Sequence, residues 1–245
     1  MKTMDFNQTD VQYVIKSQVE IFQDLSFKAD ESKISKQCIL LHGWNSSGND
    51  MLRIRDAIAR FPKANNYRFW WVTYDTNAPF KDNAKKIIDL LNKQNQNFND
   101  CLMVCYSMGG VVGRSMVVQG FNIKHLVTIC TPHLGLAPWI PTPTSGTMSI
   151  APWSQDLREL NNNPRDIAKR KSYYFFGITY TDIRGVHNDD AIVEFNSAVG
   201  GALGTVKRVN IPLAYNGGFA GTDPHARGMD PNYLAPMLQQ INELL

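Results

Sequence analysis

The sequence lacks any long apolar run: nowhere does it reach the roughly 20 consecutive apolar residues that a membrane-spanning helix needs. It also has little excess charge, since 25 lysines and arginines stand against 22 aspartates and glutamates, and the basic residues do not cluster. This near-balance argues against a nucleic-acid partner. The N-terminal residues have neither an apolar core nor a small-residue cleavage site, so the sequence predicts no signal peptide.

Histidine and cysteine are also scarce. The five histidines lie singly, without His-x-His or His-Glu-x-x-His spacing, so the sequence predicts no metal site. The four cysteines each lie in or beside an apolar run and are expected to be buried thiols. Together with the missing leader they predict a cytoplasmic protein. They are Cys38, Cys101, Cys105 and Cys130.

What the chain does have is an alternation of apolar runs and amphipathic segments over 245 residues, enough for one large α/β domain. This alternation predicts a mostly parallel central sheet with helices on both faces. We expect a single domain over residues 1–245, with residues 1–35 as an N-terminal extension that adds a hairpin or strand. The predicted strands are 36–41, 67–74, 101–105, 125–131, 172–180 and 206–213, and the predicted helices are 49–61, 81–93, 108–119 and one from Asp230 onward.

The stretch "CYSMGG", residues 105–110, places Ser107 between an apolar strand and a helical segment. A strand-to-helix turn sharp enough to expose a serine hydroxyl needs small residues two positions before and after the serine. Gly109 meets this need, and Cys105 occupies the other position, where glycine is usual. The pattern predicts a nucleophile at the carboxyl edge of the sheet, where α/β folds place their active crevice. A plain turn with a solvated serine is the alternative.

A second strand ends in "LLHGWN", where Gly43 allows the backbone to approach the reaction site closely. The backbone N–H groups of Trp44 and Met108 are predicted to form an oxyanion hole. Ser107 would also face the free N–H groups at the start of the next helix, which favour developing negative charge.

An acid and a base are expected after the serine, in the order serine, aspartate, histidine. Asp190, directly before the apolar Ala-Ile-Val, is the predicted acid, with Asp189 and Asp182 as alternatives. His225 is the only histidine after Asp190 and is therefore the predicted base.

These residues predict an acyl-enzyme mechanism that requires no cofactor. In it His225 takes the proton of Ser107, while Asp190 fixes the tautomer of the imidazole and stabilises the imidazolium. His133 and His187 precede the acid in the chain, in the wrong order, and are interpreted as structural or loop residues.

The segments together resemble the α/β-hydrolase fold, and more narrowly the branch of bacterial lipases and lipase-like serine esterases. The resemblance covers nearly the whole chain from about Cys38 onward. It is carried by "LLHGW", "CYSMGGVVGR", "VTICTPHLG", "SQDLREL", "DDAIV" and His225.

This resemblance implies hydrolysis of carboxylic esters by the triad Ser107, Asp190 and His225. It also implies oxyanion donors at Trp44 and Met108. The sequence departs from the family pattern at Cys105 and in its lack of a secretion signal, which favours an intracellular esterase over a secreted triglyceride lipase.

Residues 134–155, "LGLAPWIPTPTSGTMSIAPWSQ", carry no charge. Their prolines exclude a long regular helix. The segment predicts a lid or pocket wall that receives an apolar acyl group, with Trp139, Ile140 and Trp153 as substrate-binding residues. A loop packed over the core as ordinary structure is the alternative.

The predicted partner is therefore a small-molecule ester with an apolar acyl group. The same triad would serve a thioesterase, an amidase or an acyltransferase, because fold and triad do not fix the substrate. From a different class, the chain could be a catalytically silent binding protein of the same fold. The complete set of Ser107, Asp190 and His225 argues against that alternative.

Overall fold

A computed structural model describes residues 11–15, 19–24, 34–182, 185–214 and 224–245. Within these ranges the strands are Val11–Ile15 (β1), Glu20–Asp24 (β2), Lys36–Leu41 (β3), Tyr67–Thr73 (β4), Cys101–Tyr106 (β5), Ile123–Ile129 (β6), Tyr173–Asp182 (β7), Gly185–His187 (β8) and Lys207–Ala214 (β9). The helices are Leu52–Ala59 (α1), Phe80–Leu91 (α2), Met108–Val118 (α3), Ser145–Ser149 (α4), Gln155–Asn161 (α5), Pro164–Lys169 (α6), Phe195–Ala198 (α7) and Ala235–Leu244 (α8).

These strands form one sheet in the order β1-β2-β4-β3-β5-β6-β7-β8, with β9 also paired to β7. The pairs from β4 through β3, β5, β6 and β7 to β9 are parallel. β1 and β2 are antiparallel to each other, and β2 is antiparallel to β4. The predicted α/β class with a mostly parallel sheet is therefore confirmed.

Helices cover both faces of the sheet. Because successive side chains of a strand point to opposite faces, each buried strand supplies side chains to both layers. In β5, Met103 packs in the apolar cluster that includes α2 and α3, whereas Leu102 packs in the cluster that includes α1 and α8. Both side chains are at most 2% exposed. A strand buried on both faces needs apolar residues at every position, and this explains the unbroken run at 101–106.

Two further features lie outside this core. The described part of the predicted N-terminal extension includes β1 and β2, which add an antiparallel pair to one edge of the sheet. Three short helices, α4 to α6, fill a region for which the sequence predicted no helix. None of the helices in the described ranges has the length and apolarity that a membrane crossing requires.

Candidate active site

Ser107 lies on a tight turn between β5 and α3, and its backbone is strained. Its φ of 51° and ψ of −128° are rare for a residue with a side chain, a conformation that costs about 1–3 kcal/mol. Two hydrogen bonds hold the turn: Ser107 N–H donates to the carbonyl of Ile129 at 2.8 Å, and the Thr131 hydroxyl donates to the carbonyl of Ser107 at 2.8 Å. The next strand, β6, thus holds the serine in place.

Glycines around Ser107 allow the surrounding backbone to close in on it. A Cβ at Gly109 would lie 2.5 Å from the carbonyl oxygen of Leu41, at the end of β3. One at Gly110 would lie 2.2 Å from the Thr131 hydroxyl, and one at Gly43 would lie 2.8 Å from the Cβ of Ser107. No side chain fits at these distances, so the predicted need for a small residue two positions after the serine is met by Gly109, and Gly110 and Gly43 meet a similar need beside it.

Cys105, which stands where glycine is usual, is accommodated by a second glycine. The Cys105 side chain is fully buried, and a Cβ at Gly113 on α3 would lie 3.2 Å from its sulfur. Gly113 therefore leaves the space that the thiol occupies, and the serine turn is kept without the usual glycine.

The structure brings the predicted nucleophile, base and acid together. Ser107 Oγ lies 2.9 Å from His225 Nε2, and His225 Nδ1 lies 2.8 Å from Asp190 Oδ2. The other carboxylate oxygen, Asp190 Oδ1, accepts the N–H groups of Ile192 at 3.1 Å and Val193 at 2.7 Å. The geometry is that of a serine whose hydroxyl faces a base oriented by a buried carboxylate.

The first alternative acid, Asp189, has a different hydrogen-bond partner. Asp189 Oδ1 accepts the N–H of Ala191 at 2.8 Å, which ties that carboxylate to its own loop. The side chain of Asp182 lies outside the described part of the chain. Of the other histidines, His187 stacks on Tyr180 with ring centroids 4.3 Å apart.

Tyr106 was missed by the sequence analysis, although it directly precedes the serine. Its hydroxyl donates to the carbonyl oxygen of His225 at 2.9 Å, and the two rings lie 5.1 Å apart. Tyr106 therefore fixes the backbone of the base, while Ser107 contacts its imidazole. No local pattern reveals this contact, because the two residues are far apart in the chain.

One predicted oxyanion donor follows Ser107 directly in the chain, and the other lies in the loop after β3. Met108 begins α3 directly after the serine, and Trp44 follows Gly43, whose backbone packs against Ser107. The Trp44 side chain itself is 44% exposed, so it is the backbone of this loop that approaches the serine. The roles of the Trp44 and Met108 N–H groups stay predictions.

His42 fixes the loop that carries Trp44. Its Nδ1 lies 2.7 Å from the Gly43 carbonyl, and its Nε2 accepts the N–H of Tyr74 at 3.2 Å, so the ring is neutral with its proton on Nδ1. Burial lowers the pKa of His42 to about 4. A proton on Nε2 would face the Tyr74 N–H and break this bond.

Acid is therefore expected to destabilise the protein through His42. Because its folded-state pKa is about 4 against an ordinary value of 6.5, the unfolded chain binds more protons between these values. The stabilisation is complete above pH 6.5 and is lost as the pH falls through about 4. Between pH 6.5 and 4.5, His42→Gln should lose about 2 kcal/mol less of its free energy of unfolding than the wild type.

Urea unfolding at a series of pH values measures this difference. Gln239→Asn, at an exposed position of α8, changes no titratable group; it is the control and should keep the wild-type dependence on pH. An unchanged slope in His42→Gln would contradict the assignment.

His133, interpreted from the sequence as structural, belongs to a buried polar cluster behind α3. Its Nε2 lies 2.9 Å from the Thr128 hydroxyl, and its Nδ1 lies 3.4 Å from Arg114 Nη1. Arg114 forms a salt bridge of 2.7 Å with Asp166, and both are fully buried. Burial, followed by Arg114 and Arg170, holds the pKa of His133 well below its usual range. This cluster anchors the segment after β6 to α3 and α6.

Of the three predicted substrate-binding residues, only Trp153 lines the cleft formed beside residues 142–156 in the described part of the chain. This cleft of about 620 Å³ is lined by Trp153, Met148 and Pro79 among others, but its lining includes neither Trp139 nor Ile140, nor any triad residue. Trp139 and Trp153 are 59% and 54% exposed.

One group of side chains in the described ranges has donor atoms close enough to hold a metal ion. It consists of Cys130, Asp190 and His225, all buried.

A sheet of this topology with a strained serine between β5 and α3, facing a histidine and a buried aspartate, defines an α/β-hydrolase of the serine hydrolase class. The chain belongs to the family described as "Putative serine esterase (DUF676)", whose profile matches residues 31–161, just over half of the chain. The predicted enzyme class, a carboxylic ester hydrolase, is thereby confirmed. The matched region contains Ser107 but ends before Asp190 and His225.

Solved structures support the same fold. The chain is similar to the mature lipase BlEst2 of Bacillus licheniformis (TM-score 0.58, 14% identity, 85% of this chain and 92% of that one). It is similar to Est1E of Butyrivibrio proteoclasticus (TM-score 0.59, 12% identity, 96% and 97%) and to carboxylesterase CesB of Bacillus subtilis (TM-score 0.54, 13% identity, 94% and 90%). Identities this low establish the fold alone. No curated protein sequence matches the chain.

Proposed function

We propose that this serine esterase cleaves small-molecule esters with an apolar acyl group through a triad of Ser107, His225 and Asp190. The observation that carries the proposal is the continuous path from Ser107 Oγ to His225 Nε2 at 2.9 Å and from His225 Nδ1 to Asp190 Oδ2 at 2.8 Å. A neutral imidazole that donates from Nδ1 to the aspartate has its Nε2 lone pair free to accept the serine proton.

The acylation step follows from this arrangement. Ser107 Oγ attacks the ester carbonyl carbon as its proton passes to His225 Nε2, and Asp190 stabilises the imidazolium. The carbonyl oxygen becomes an oxyanion, and the predicted donors to it are the backbone N–H groups of Trp44 and Met108. When the tetrahedral intermediate collapses, the alcohol leaves with the proton from His225, and the acyl group remains on Ser107.

Deacylation repeats these steps with water. His225 takes a proton from the water as its oxygen attacks the acyl carbon. The intermediate collapses, the carboxylic acid leaves, and the proton on His225 returns to Ser107 Oγ. No cofactor takes part in either half.

For residues 134–155 the contacts favour a pocket wall over a moving lid. Gly146 N–H donates to the carbonyl of Asn77 at 2.8 Å, and a Cβ at Gly146 would lie 2.0 Å from the Thr76 carbonyl. Leu136 N–H donates to the carbonyl of Ile150 at 3.1 Å, which closes the segment on itself. The segment carries no charge and contains Trp139, Ile140 and Trp153, and this composition supports an apolar acyl preference.

The test is covalent labelling combined with a chain-length series. A fluorophosphonate probe should label the native protein, and mass spectrometry of the digested adduct should place the phosphonyl group on Ser107. Heat-denatured protein is the control and should not label. p-Nitrophenyl esters of increasing acyl length should then be hydrolysed, and the acyl length with the highest kcat/KM indicates the size of the acyl site.

Two other results would change the conclusion. A label on Ser107 with no ester hydrolysis would shift the substrate class to thioesters, amides or acyl transfer. A native protein that neither labels nor hydrolyses would contradict the proposal and favour a binding protein of the same fold.

A further inference from the structure

Cys130 lies directly after β6, beside the proposed acid and base, and the mechanism does not use it. Its φ is 53°, which is rare for a residue with a side chain, and its N–H donates to the carbonyl of Phe176 at 2.9 Å. A Cβ at Gly228 would lie 2.9 Å from the Cys130 sulfur. The thiol is thus held between the end of β6 and the short turn that follows His225.

The thiol completes a set of donor atoms of the kind that zinc prefers. Cys130 Sγ, one carboxylate oxygen of Asp190 and one ring nitrogen of His225 all lie within 4.8 Å of one another. Tetrahedral zinc with ordinary bond lengths requires such atoms to be roughly 3.4–3.6 Å apart. His225 Nδ1 and Asp190 Oδ2 are 2.8 Å apart, so an ion needs that pair to separate by about 0.6–0.8 Å and the thiol to approach by at most about 1.4 Å.

Charge also favours a divalent cation in this position. A thiolate and a carboxylate together neutralise a 2+ ion, so a buried site would hold no net charge. The position is not sealed, because Ser107 and His225 are 5% and 9% exposed.

From this geometry we infer that Cys130, Asp190 and His225 form an inhibitory site for a thiophilic divalent cation, with Zn²⁺ as the ion that fits best. The inference rests on the proposed function, since two of the three ligands belong to the triad. The cation binds His225 at Nδ1 and takes the place of the hydrogen bond to Asp190.

A bound cation prevents catalysis because it changes which ring nitrogen of His225 carries the proton. The Cys130 thiol loses its proton to solvent, and the imidazole proton moves from Nδ1 to Nε2, so the ring stays neutral. Nε2 then bears a hydrogen and cannot accept the proton of Ser107. The enzyme is folded and inactive until the cation is removed.

The experiment measures cation binding in two ways, by a spectroscopic band that does not depend on activity and by inhibition of ester hydrolysis. Cobalt chloride added to the wild-type protein should produce a thiolate-to-cobalt charge-transfer band in the near ultraviolet. Zinc chloride should inhibit p-nitrophenyl ester hydrolysis, and EDTA should restore the rate. Each rate is compared with the zinc-free rate of the same variant.

Cys130→Ala and Cys130→Ser test the thiol, with thermal melts to show that each is folded. Both variants should lose the cobalt band. The zinc concentration for half-inhibition should rise by about a hundredfold or more, because losing even an outer-shell partner costs up to about a hundredfold in metal affinity and Cys130 is proposed as a direct ligand. The matched control is Cys101→Ala, which removes a buried thiol at the opposite end of β5 and should keep the band and the inhibition.

The absence of a cobalt band in the wild type, or zinc inhibition that persists in both Cys130 variants, would overturn the inference. Ser107→Ala distinguishes a failure of the cation-site inference from a failure of the proposed function. It should keep the cobalt band while hydrolysing no ester. Hydrolysis by Ser107→Ala would refute the triad, whereas the band reports on the cation site alone.

Discussion

Ser107→Ala is expected to lower kcat for an activated ester by about 10⁶-fold and to abolish fluorophosphonate labelling. The reason is that Ser107 Oγ is the atom that faces His225 Nε2, at 2.9 Å, and alanine leaves the base without a nucleophile to deprotonate. Alanine also keeps the Cβ that the strained turn already accommodates. Burst and steady-state assays of a p-nitrophenyl ester measure the loss.

Ser115→Ala provides the control, because Ser115 is a buried serine on the same helix whose hydroxyl contacts Gln119 and not the triad. It should hydrolyse and label like the wild type. Near-wild-type rates in Ser107→Ala, with the protein folded, would exclude Ser107 as the nucleophile.

Asp190→Asn is expected to lower kcat by about 10⁴-fold without unfolding the protein. Asp190 Oδ1 accepts two backbone N–H groups, those of Ile192 and Val193, and this fixes the orientation of the side chain. The asparagine must keep its carbonyl oxygen there, so its NH₂ group faces His225 Nδ1. That ring nitrogen then has to accept, and the imidazole carries its proton on Nε2, where it blocks transfer from Ser107.

Asp189→Asn is the matched change at the neighbouring position. Its carboxylate contacts the Ala191 N–H, and the variant should retain a rate close to that of the wild type. The reverse outcome, with Asp189→Asn inactive and Asp190→Asn active, would make Asp189 the acid.

The strands of the central sheet could be predicted from the sequence, because strands buried on both faces are continuous apolar runs. Cys101–Tyr106 and Ile123–Ile129 lie within two residues of their predicted bounds. The helices α4 to α6 were missed because they are short and carry little apolar periodicity. Their start signals are local: the side chains of Thr144, Ser154 and Asn163 each accept a backbone N–H of the first turn.

The chain order of serine, aspartate and histidine pointed to Ser107 and His225 but left Asp189 and Asp182 as alternatives to Asp190. The structure brings Ser107, Asp190 and His225 together. The residues that support them could not be found in this way. The contact of Tyr106 with the His225 carbonyl and the position of Cys130 depend on how distant segments pack. Such contacts leave no periodic or local signal in a single sequence.

The antiparallel addition at the edge of the sheet has a consequence for self-association. β4 contains Trp70 and Trp71, and its outer side pairs with β2. Without β2, an aromatic strand would present unpaired N–H and C=O groups, which is a template for edge-to-edge aggregation. The family match begins at residue 31, so this protection comes from outside the matched region. A shortened chain that begins at β3 would keep the triad and still tend to precipitate.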